Sequence, residues 1–182
     1  MKALLLDGSR EGQSLGRFAQ LAEQELRTRG YEVETLVLSS LSIAPCKGCF
    51  GCWTATPGLC ATDDDGRNVA RKMISCDLVL MLTPVTFGGY SSELKKALDR
   101  SICVALPFLT NVGGSTRHPM RYRHYPKVCV AGVLPKPDPE SEKIFNLLIE
   151  RNSRNFHTTG FRGKVFVDVD HPEMKDEIRS FL

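Results

Sequence analysis

The sequence predicts an α/β protein in which helices cover both faces of a five-stranded parallel sheet. Five short apolar runs lie along the 182-residue chain, and stretches with helical spacing of apolar residues separate them. Strands buried on both faces read as continuous apolar runs, and their alternation with helices is typical of a parallel sheet. The usual order of five such strands is 2-1-3-4-5, with ligands beyond the carboxyl ends of strands one and three.

The strands are predicted from their apolar runs. They span Ala3–Leu6, Val33–Leu38, Asp77–Thr83, Val128–Leu134 and Val165–Val169. The third run is almost entirely apolar after its first residue, which indicates a strand covered on both faces. The first run ends in Asp7-Gly8-Ser9, and these turn-forming residues predict that the chain leaves the sheet there.

The helices are predicted from apolar residues at 3.6-residue spacing and from their end signals. The first begins at Ser14 and ends at Gly30, and the second begins at Asp63–Asp65, where acidic residues complement the helix dipole. Three more helices are predicted at Ser91–Cys103, Glu140–Asn152 and Glu173–Phe181. Side chains expected to face the core are Leu15, Phe18, Leu21, Ala22 and Leu26, then Val69, Met73 and Ile74, then Leu94, Ala97, Leu98 and Ile102, and finally Ile144, Leu147 and Leu148.

The composition indicates a single soluble domain over residues 1–182. Apolar residues make up 42% and charged residues 25%, and the net charge of +3 is too small to indicate nucleic-acid binding. No apolar run reaches membrane-spanning length, and the start of the chain is interpreted as a buried strand rather than a signal peptide. An odd count of seven cysteines fits reduced thiols, so we expect a cytoplasmic location.

Four of the cysteines form a compact motif in the predicted loop 45–62. Cys46, Cys49, Cys52 and Cys60 have the spacing C-x2-C-x2-C-x7-C. Thiolates are soft ligands that suit an iron–sulfur cluster or zinc, and zinc sites more often use two distant C-x2-C pairs. The spacing therefore favours a [4Fe–4S] cluster, while zinc, a disulfide and free thiols remain open. The other cysteines, Cys76, Cys103 and Cys129, are interpreted as small core residues.

Two predicted turns carry features of a ligand pocket. The turn Gly8–Ser14 offers hydroxyls, an amide and backbone N–H groups at a helix start, which suits a phosphate, although an ordinary capped turn explains it equally well. It matches neither a Walker A loop nor G-x-G-x-x-G. In the turn Thr83–Tyr90, Pro84 fixes the chain direction, and Gly88-Gly89 would let a flat ring approach the backbone.

Taken together, these motifs resemble a known family. GSREGQS, CKGCFGC with Cys60, DDD and TPVTFGGYSSELKKALDR resemble the NADPH-dependent FMN reductase superfamily and, within it, the iron–sulfur flavoproteins. The resemblance extends from Met1 to about Leu134 and implies a flavodoxin-like fold that binds FMN non-covalently. It assigns the FMN phosphate to Ser9, Arg10, Gln13 and Ser14, the flavin ring to Pro84, Val85, Thr86, Phe87, Gly88 and Gly89, and the cluster to Cys46, Cys49, Cys52 and Cys60.

The resemblance also implies an activity. It implies an FMN-dependent oxidoreductase that moves electrons between NAD(P)H or a protein donor and a small-molecule or protein acceptor, with the cluster beside the flavin. No catalytic acid or base is assigned, and members commonly form dimers or tetramers. Thr86 departs from the Tyr that the family often has there. A flavin or quinone reductase without a cluster, and a non-enzymatic electron carrier of flavodoxin type, are the alternatives.

A long basic segment separates the third helix from the fourth strand. This insert, residues 104–127, greatly exceeds the ~2–6 residues of an ordinary connection. Its cationic and titratable residues are Arg117, His118, Arg121, Arg123, His124 and Lys127. It could attract the phosphates of NAD(P)H, cover the flavin of a neighbouring subunit, or contact nucleic acid. The small net charge favours a lid or interface over nucleic acid.

Overall fold

The sheet predicted from the sequence is present in the computed structural model, which describes residues 1–10 and 15–182. The strands and helices, in chain order, are β1 Lys2–Asp7, α1 Gly16–Thr28, β2 Glu32–Val37, α2 Gly51–Thr54, α3 Asp65–Ser75, β3 Leu78–Pro84, α4 Ser92–Arg100, β4 Thr110–Val112, β5 Ser115–Arg117, β6 Lys127–Leu134, α5 Pro139–Asn155, β7 Phe161–Val167 and α6 Met174–Phe181. Within the described ranges, β2-β1-β3-β6-β7 form a five-stranded parallel sheet, and β4 and β5 pair as a separate hairpin. Without the hairpin strands, this is the predicted order 2-1-3-4-5.

The strand register sends alternate side chains into two cores. Leu80 of β3 packs in the layer that contains Phe18 of α1 and Ile178 of α6. Its neighbour Met81 packs in the opposite layer, with Leu94 of α4. Because successive strand residues point to opposite faces, an apolar run such as β3 fills both layers at once. The carboxyl edge of the sheet is therefore well packed and can position the turns after β1 and β3.

The inward face of α5 differs from the prediction. Ile144 and Leu147 are 48% and 54% exposed, Leu148 is half-buried, and the core instead receives Phe145 and Ile149. The cause lies in the sheet, because a Cβ on Gly132 of β6 would lie 2.6 Å from Phe145 Cε1. The glycine leaves a socket for the Phe145 ring, which fixes the rotation of the helix. Because five of the six residues from position 144 to 149 are apolar, the sequence was compatible with several rotations of α5 about its axis.

Other expectations are confirmed with small shifts. The third predicted helix, α4 of the structure, ends at Arg100 and continues as a 3-10 turn, Ser101–Val104, rather than as α-helix. Cys76, Cys103 and Cys129 are all buried, and burial raises the pKa of each thiol to about 11. The short helix α2 and the β4–β5 hairpin were not predicted. Among the described residues, no helix is both long and apolar enough to cross a membrane.

The socket on β6 gives a test of this packing. Gly132→Ala should lower the free energy of unfolding by about 1–3 kcal/mol, because the added methyl group collides with Phe145 and Val85. Gly160→Ala is the matched control, since its Cβ would meet only the flexible Lys127 side chain, with Cγ at 3.6 Å and Cδ at 3.9 Å. Chemical denaturation of both variants measures the difference. Equal stability of the two variants would contradict the role assigned to the socket.

Candidate cofactor site

The turns after β1 and β3 are joined directly at the carboxyl edge of the sheet. The Gly8 amide donates to the Leu82 carbonyl at 2.8 Å, and the Ser91 hydroxyl donates to the Gly8 carbonyl at 2.5 Å. The same hydroxyl accepts from the Leu94 amide at 3.2 Å and so caps α4. A Cβ on Gly8 would lie 2.8 Å from Leu94 Cβ, so only glycine fits there. The two segments assigned to FMN are therefore neighbours.

The residues assigned to the FMN phosphate are partly described. Ser9 is buried and its amide donates to Asp7 Oδ1 at 2.8 Å, while Arg10 is exposed at the same edge. Gln13 and Ser14 lie outside the described residues, so their assignment stays a prediction. Ser9 and Arg10 stand at the carboxyl end of β1, where the parallel-sheet rule places a ligand.

The segment assigned to the flavin ring ends in a tight turn. Thr86 and Gly89 exchange backbone hydrogen bonds of 3.0 and 2.9 Å, and the two central residues, Phe87 and Gly88, have φ of 50° and 70°. Positive φ at both central positions defines a type I′ turn, which favours Asn and Gly. Phe87 is 100% exposed in this strained conformation, so its large apolar side chain gains no stabilisation from packing within the chain.

The remaining ring-segment residues have different surroundings. Val85 is half-buried, and its amide donates to the Val133 carbonyl at 2.9 Å, which continues the β3–β6 pairing beyond Pro84. A Cβ on Gly88 would lie 2.6 Å from Ile144 Cγ2, so a glycine at this position lets α5 pack closely against the turn. At Gly89 a Cβ would meet only the Thr86 carbonyl at 3.5 Å, so the ring-approach role fits Gly89.

A large cavity connects this segment with the cysteine loop. Its volume is about 820 Å³, within the usual ~300–1,000 Å³ range of ligand pockets. Its walls include the four motif cysteines, Gly89 and Tyr90, and residues of α4, α5 and the hairpin. Of the ring segment Pro84–Gly89, only Gly89 lines the cavity, and the described phosphate residues Ser9 and Arg10 do not. The motif cysteines and the end of the ring segment thus share one cavity.

The four cysteines differ in their exposure. Cys46 and Cys49 are exposed, Cys60 is half-buried and Cys52 is buried; all seven cysteines of the chain lie in the described ranges and are free thiols. Burial raises the pKa of Cys52, and the nearby Cys60, Cys46 and Cys49 raise it further. Within residues 1–10 and 15–182, however, no three Cys, His, Asp or Glu side chains already form a group that could hold a metal ion. The thiols are neighbours around one cavity rather than a closed coordination shell.

Aromatic contacts join the cysteine loop to the insert. The Trp53 indole N–H donates to the Ile102 and Ala105 carbonyls at 3.2 and 3.0 Å. The Trp53 ring stacks on the Phe50 ring, with 5.1 Å between centroids, and contacts the His118 ring, with 5.2 Å between centroids. The insert therefore lies against the cysteine loop. Sequence reasoning missed Trp53, although it is the single tryptophan of the chain and stands one residue after the third motif cysteine.

A buried arginine closes the base of the cysteine loop. Arg100 is 1% exposed and forms two hydrogen bonds with the Asp64 carboxylate, of 2.7 and 2.8 Å. It also donates to the Ala44 carbonyl at 2.9 Å and the Thr62 carbonyl at 3.0 Å. Ala44 stands two residues before Cys46, and Thr62 two residues after Cys60. One guanidinium thus holds both ends of the motif.

The Asp64 carboxylate accepts hydrogen bonds from Arg100 and from two backbone amides. Burial raises the pKa of Asp64, but hydrogen bonds from Arg100 and from the Ala44 and Gly66 amides outweigh it, so the pKa is lowered overall. The sequence analysis placed Asp63–Asp65 at the start of a helix. Asp64 does cap α3, but its partner is Arg100, while Asp99 pairs with Lys95.

Comparison with known proteins agrees with this architecture. The solved NAD(P)H:quinone oxidoreductase from Methanothermobacter marburgensis superposes with a TM-score of 0.70 at 13% identity, over 98% of this chain and 93% of that one. An FMN-dependent NADH-azoreductase from Bacillus anthracis, solved in complex with FMN, superposes with a TM-score of 0.66 at 11% identity, over 98% and 96% of the two chains. At such low identity these matches show the fold, which is the predicted flavodoxin-like α/β sandwich.

The family follows from the sequence match. Residues 1–126 match the family described as NADPH-dependent FMN reductase, and the chain belongs to that family. It is also similar to an iron–sulfur flavoprotein of Methanosarcina thermophila, with 34% identity over 56% of this chain and 53% of that protein. One of Archaeoglobus fulgidus is 32% identical over 56% and 49%. The chain thus matches about half the length of these relatives, whose names support the predicted subgroup.

The Arg100–Asp64 pair predicts a pH-dependent stability. Because the pKa of Asp64 is lowered on folding, its stabilising effect is present above its unfolded pKa of about 3.9 and is lost as pH falls through the folded pKa. Asp64→Asn should cost about 3 kcal/mol of unfolding free energy at pH 7, and the difference from wild type should shrink below about pH 3.

Asp63→Asn is the matched control. Asp63 pairs with Arg67 at 2.8 Å but is 84% exposed, so its substitution should cost less than about 1 kcal/mol. Urea denaturation at a series of pH values measures both variants. A loss at Asp64→Asn no larger than that at Asp63→Asn, or one independent of pH, would contradict the role of the pair.

Proposed function

We propose that this chain is an FMN-dependent oxidoreductase of the iron–sulfur flavoprotein kind, which moves electrons between NAD(P)H or a protein donor and an acceptor. Cys46, Cys49, Cys52 and Cys60 would hold a [4Fe–4S] cluster. The observation that carries the proposal is the shared cavity, because it brings these thiols and the ring segment at Gly89 to one place. The family match and the names of the similar relatives support it.

The residues present fit both groups. For FMN, the buried Ser9 and the exposed Arg10 offer a hydroxyl and a positive charge at the carboxyl edge, next to the ring segment. For the cluster, the donor set is four free thiols around one cavity, and soft thiolates are the ligands that iron–sulfur clusters use. When bound, FMN would supply hydride and single-electron transfer, and a cluster would supply single-electron transfer.

The chain's own residues would bind and orient these groups. Ser9 and Arg10, with Gln13 and Ser14, would hold the phosphate, and the segment Pro84–Gly89 would hold the ring. Insert 104–127 would act as a lid or interface, because Arg117 and His118 line the same cavity as the motif cysteines and Gly89. The exposed side chains of Ile144 and Leu147 would meet a second copy of the chain in a dimer or tetramer.

Two other functions remain as outcomes of the test. A flavin or quinone reductase would bind FMN and oxidise NADPH but contain no iron. An electron carrier would bind FMN but would be reduced only by a protein partner. Stopped-flow mixing of the FMN-loaded protein with NADPH separates the carrier from the two enzymes, since only the enzymes would bleach the flavin absorbance. Absence of bleaching with both NADPH and NADH would contradict an NAD(P)H-dependent activity and favour reduction by a protein partner.

The cluster assignment predicts a metal content. Anaerobically reconstituted protein should contain about four irons per chain, the complement of one cubane held by four thiolates. Cys52→Ser should abolish most of the iron, since it removes the buried ligand. Cys129→Ala is the control, because Cys129 lies in the core on the other face of the sheet and should leave the iron unchanged. Iron analysis that finds the same content in Cys52→Ser as in wild type would contradict the ligand set.

The strained conformation of Phe87 predicts that this residue lowers the stability of the FMN-free protein and strengthens FMN binding. A Phe with φ of 50° is strained, and Asn adopts this conformation more readily, so Phe87→Asn should raise the unfolding free energy without FMN by about 0.5–1 kcal/mol. Loss of the aromatic contact should raise the Kd for FMN about two- to tenfold.

Phe87→Tyr keeps the ring and should change neither quantity. Calorimetric titration with FMN and thermal unfolding of the FMN-free protein provide the two measurements. Unchanged FMN affinity in Phe87→Asn would remove this residue from the flavin site.

A further inference from the structure

One N–H group of Arg100 is left over after the contacts already described. A guanidinium has five N–H groups. Four of them are directed to Asp64, Ala44 and Thr62, because each terminal nitrogen donates once to the carboxylate and once to a backbone carbonyl. The fifth is Nε–H. It is buried and has no hydrogen-bond partner among the described residues.

An unpaired buried donor is costly, so this one points to a missing acceptor. Leaving a buried polar group unsatisfied costs about 1–3 kcal/mol, and more for a charged group. Arg100 lines the cavity together with the four motif cysteines. Cys60 is the motif cysteine that interacts with Arg100. One terminal nitrogen of Arg100 donates to the Thr62 carbonyl, two residues after Cys60. The hydrogen bonds to Asp64 raise the pKa of Arg100, burial opposes the rise, and the Cys60 thiol adds to it. The two side chains interact, yet Nε and the thiol form no hydrogen bond.

We propose that Arg100 is a positioning residue for the cluster, and that its Nε–H donates a hydrogen bond to the Cys60 sulfur when that sulfur ligates iron. The inference rests on the proposed cluster. A ligating thiolate is a far better acceptor than a thiol, so cluster assembly would supply the partner that Nε–H lacks. The same guanidinium holds the chain two residues outside Cys46 and Cys60, so it would fix the first and last ligands relative to each other.

The hydrogen bond would also tune the cluster. Reduction adds negative charge to an iron–sulfur cluster, and hydrogen bonds to its sulfurs stabilise that charge, so they raise the reduction potential. A purely structural arginine would not have this effect. Its ion pair with Asp64 uses only the two terminal nitrogens, and a lysine could replace the charge without supplying Nε–H.

Arg100→Lys therefore tests the inference, with Asp64→Asn as its counterpart. The first variant keeps the positive charge and loses Nε–H, while the second weakens the ion pair and keeps Nε–H. The measurement is an EPR-monitored redox titration of anaerobically reconstituted protein, with iron counted in each sample. We expect a lower midpoint potential in Arg100→Lys than in wild type at equal iron content, and no lowering in Asp64→Asn.

A second measurement examines the wild-type protein directly. Wild-type protein grown with arginine labelled with ¹⁵N in the guanidinium group should show a ¹⁵N coupling to the reduced cluster by pulsed EPR. Where Arg100→Lys holds a cluster, the coupling should be lost.

The outcomes separate the two proposals. Iron in wild type without a ¹⁵N coupling, or an unchanged midpoint potential in Arg100→Lys, would overturn the role of Arg100 and leave the cluster in place. Wild-type protein that binds no iron after reconstitution would overturn the cluster, and the role of Arg100 with it.

Discussion

The ion pair between Arg100 and Asp64 is the constraint on which the candidate site depends. A buried charge pair gives little net stability, but removal of one partner leaves an uncompensated charge and costs about 3–5 kcal/mol. This pair lies where the end of α4 meets the start of α3, and its remaining hydrogen bonds reach the carbonyls on either side of the cysteine motif. The path of the cysteine loop is thereby fixed by a side chain of the packed core.

Because α4 also begins at the flavin segment, one helix connects the two halves of the site. Ser91, its cap, holds the turn after β1 against the turn after β3, and Arg100, its last residue, holds the cysteine loop. The separation of the metal and flavin segments is therefore set by a nine-residue helix with its inner face in the core. Insert 104–127 completes the arrangement, because Trp53 of the cysteine loop donates to the Ala105 carbonyl of the insert and contacts its His118 ring.

The sequence predicted the sheet order and a ligand site beyond the carboxyl ends of strands one and three, because both follow from apolar runs and from the geometry of parallel strands. Prediction from the sequence failed where one sequence pattern was compatible with several packings and only the tertiary structure selects among them. The rotation of α5 depends on the socket at Gly132, and the close contact between Gly88 and Ile144 of the same helix was not predicted. The partner of Asp64 was also missed, since position 100 is 36 residues away in the chain and ion pairs across such a distance leave no local signal.

The visible spectrum of the anaerobically purified protein tests the central claim, a flavin and a cluster in neighbouring positions of one chain, most directly. The account predicts the two resolved bands of oxidised FMN on top of a broad absorbance that extends to longer wavelengths. Reduction by NADPH should bleach both components in the same sample. Flavin bands without the broad component, in protein reconstituted with iron and sulfide, would contradict the account.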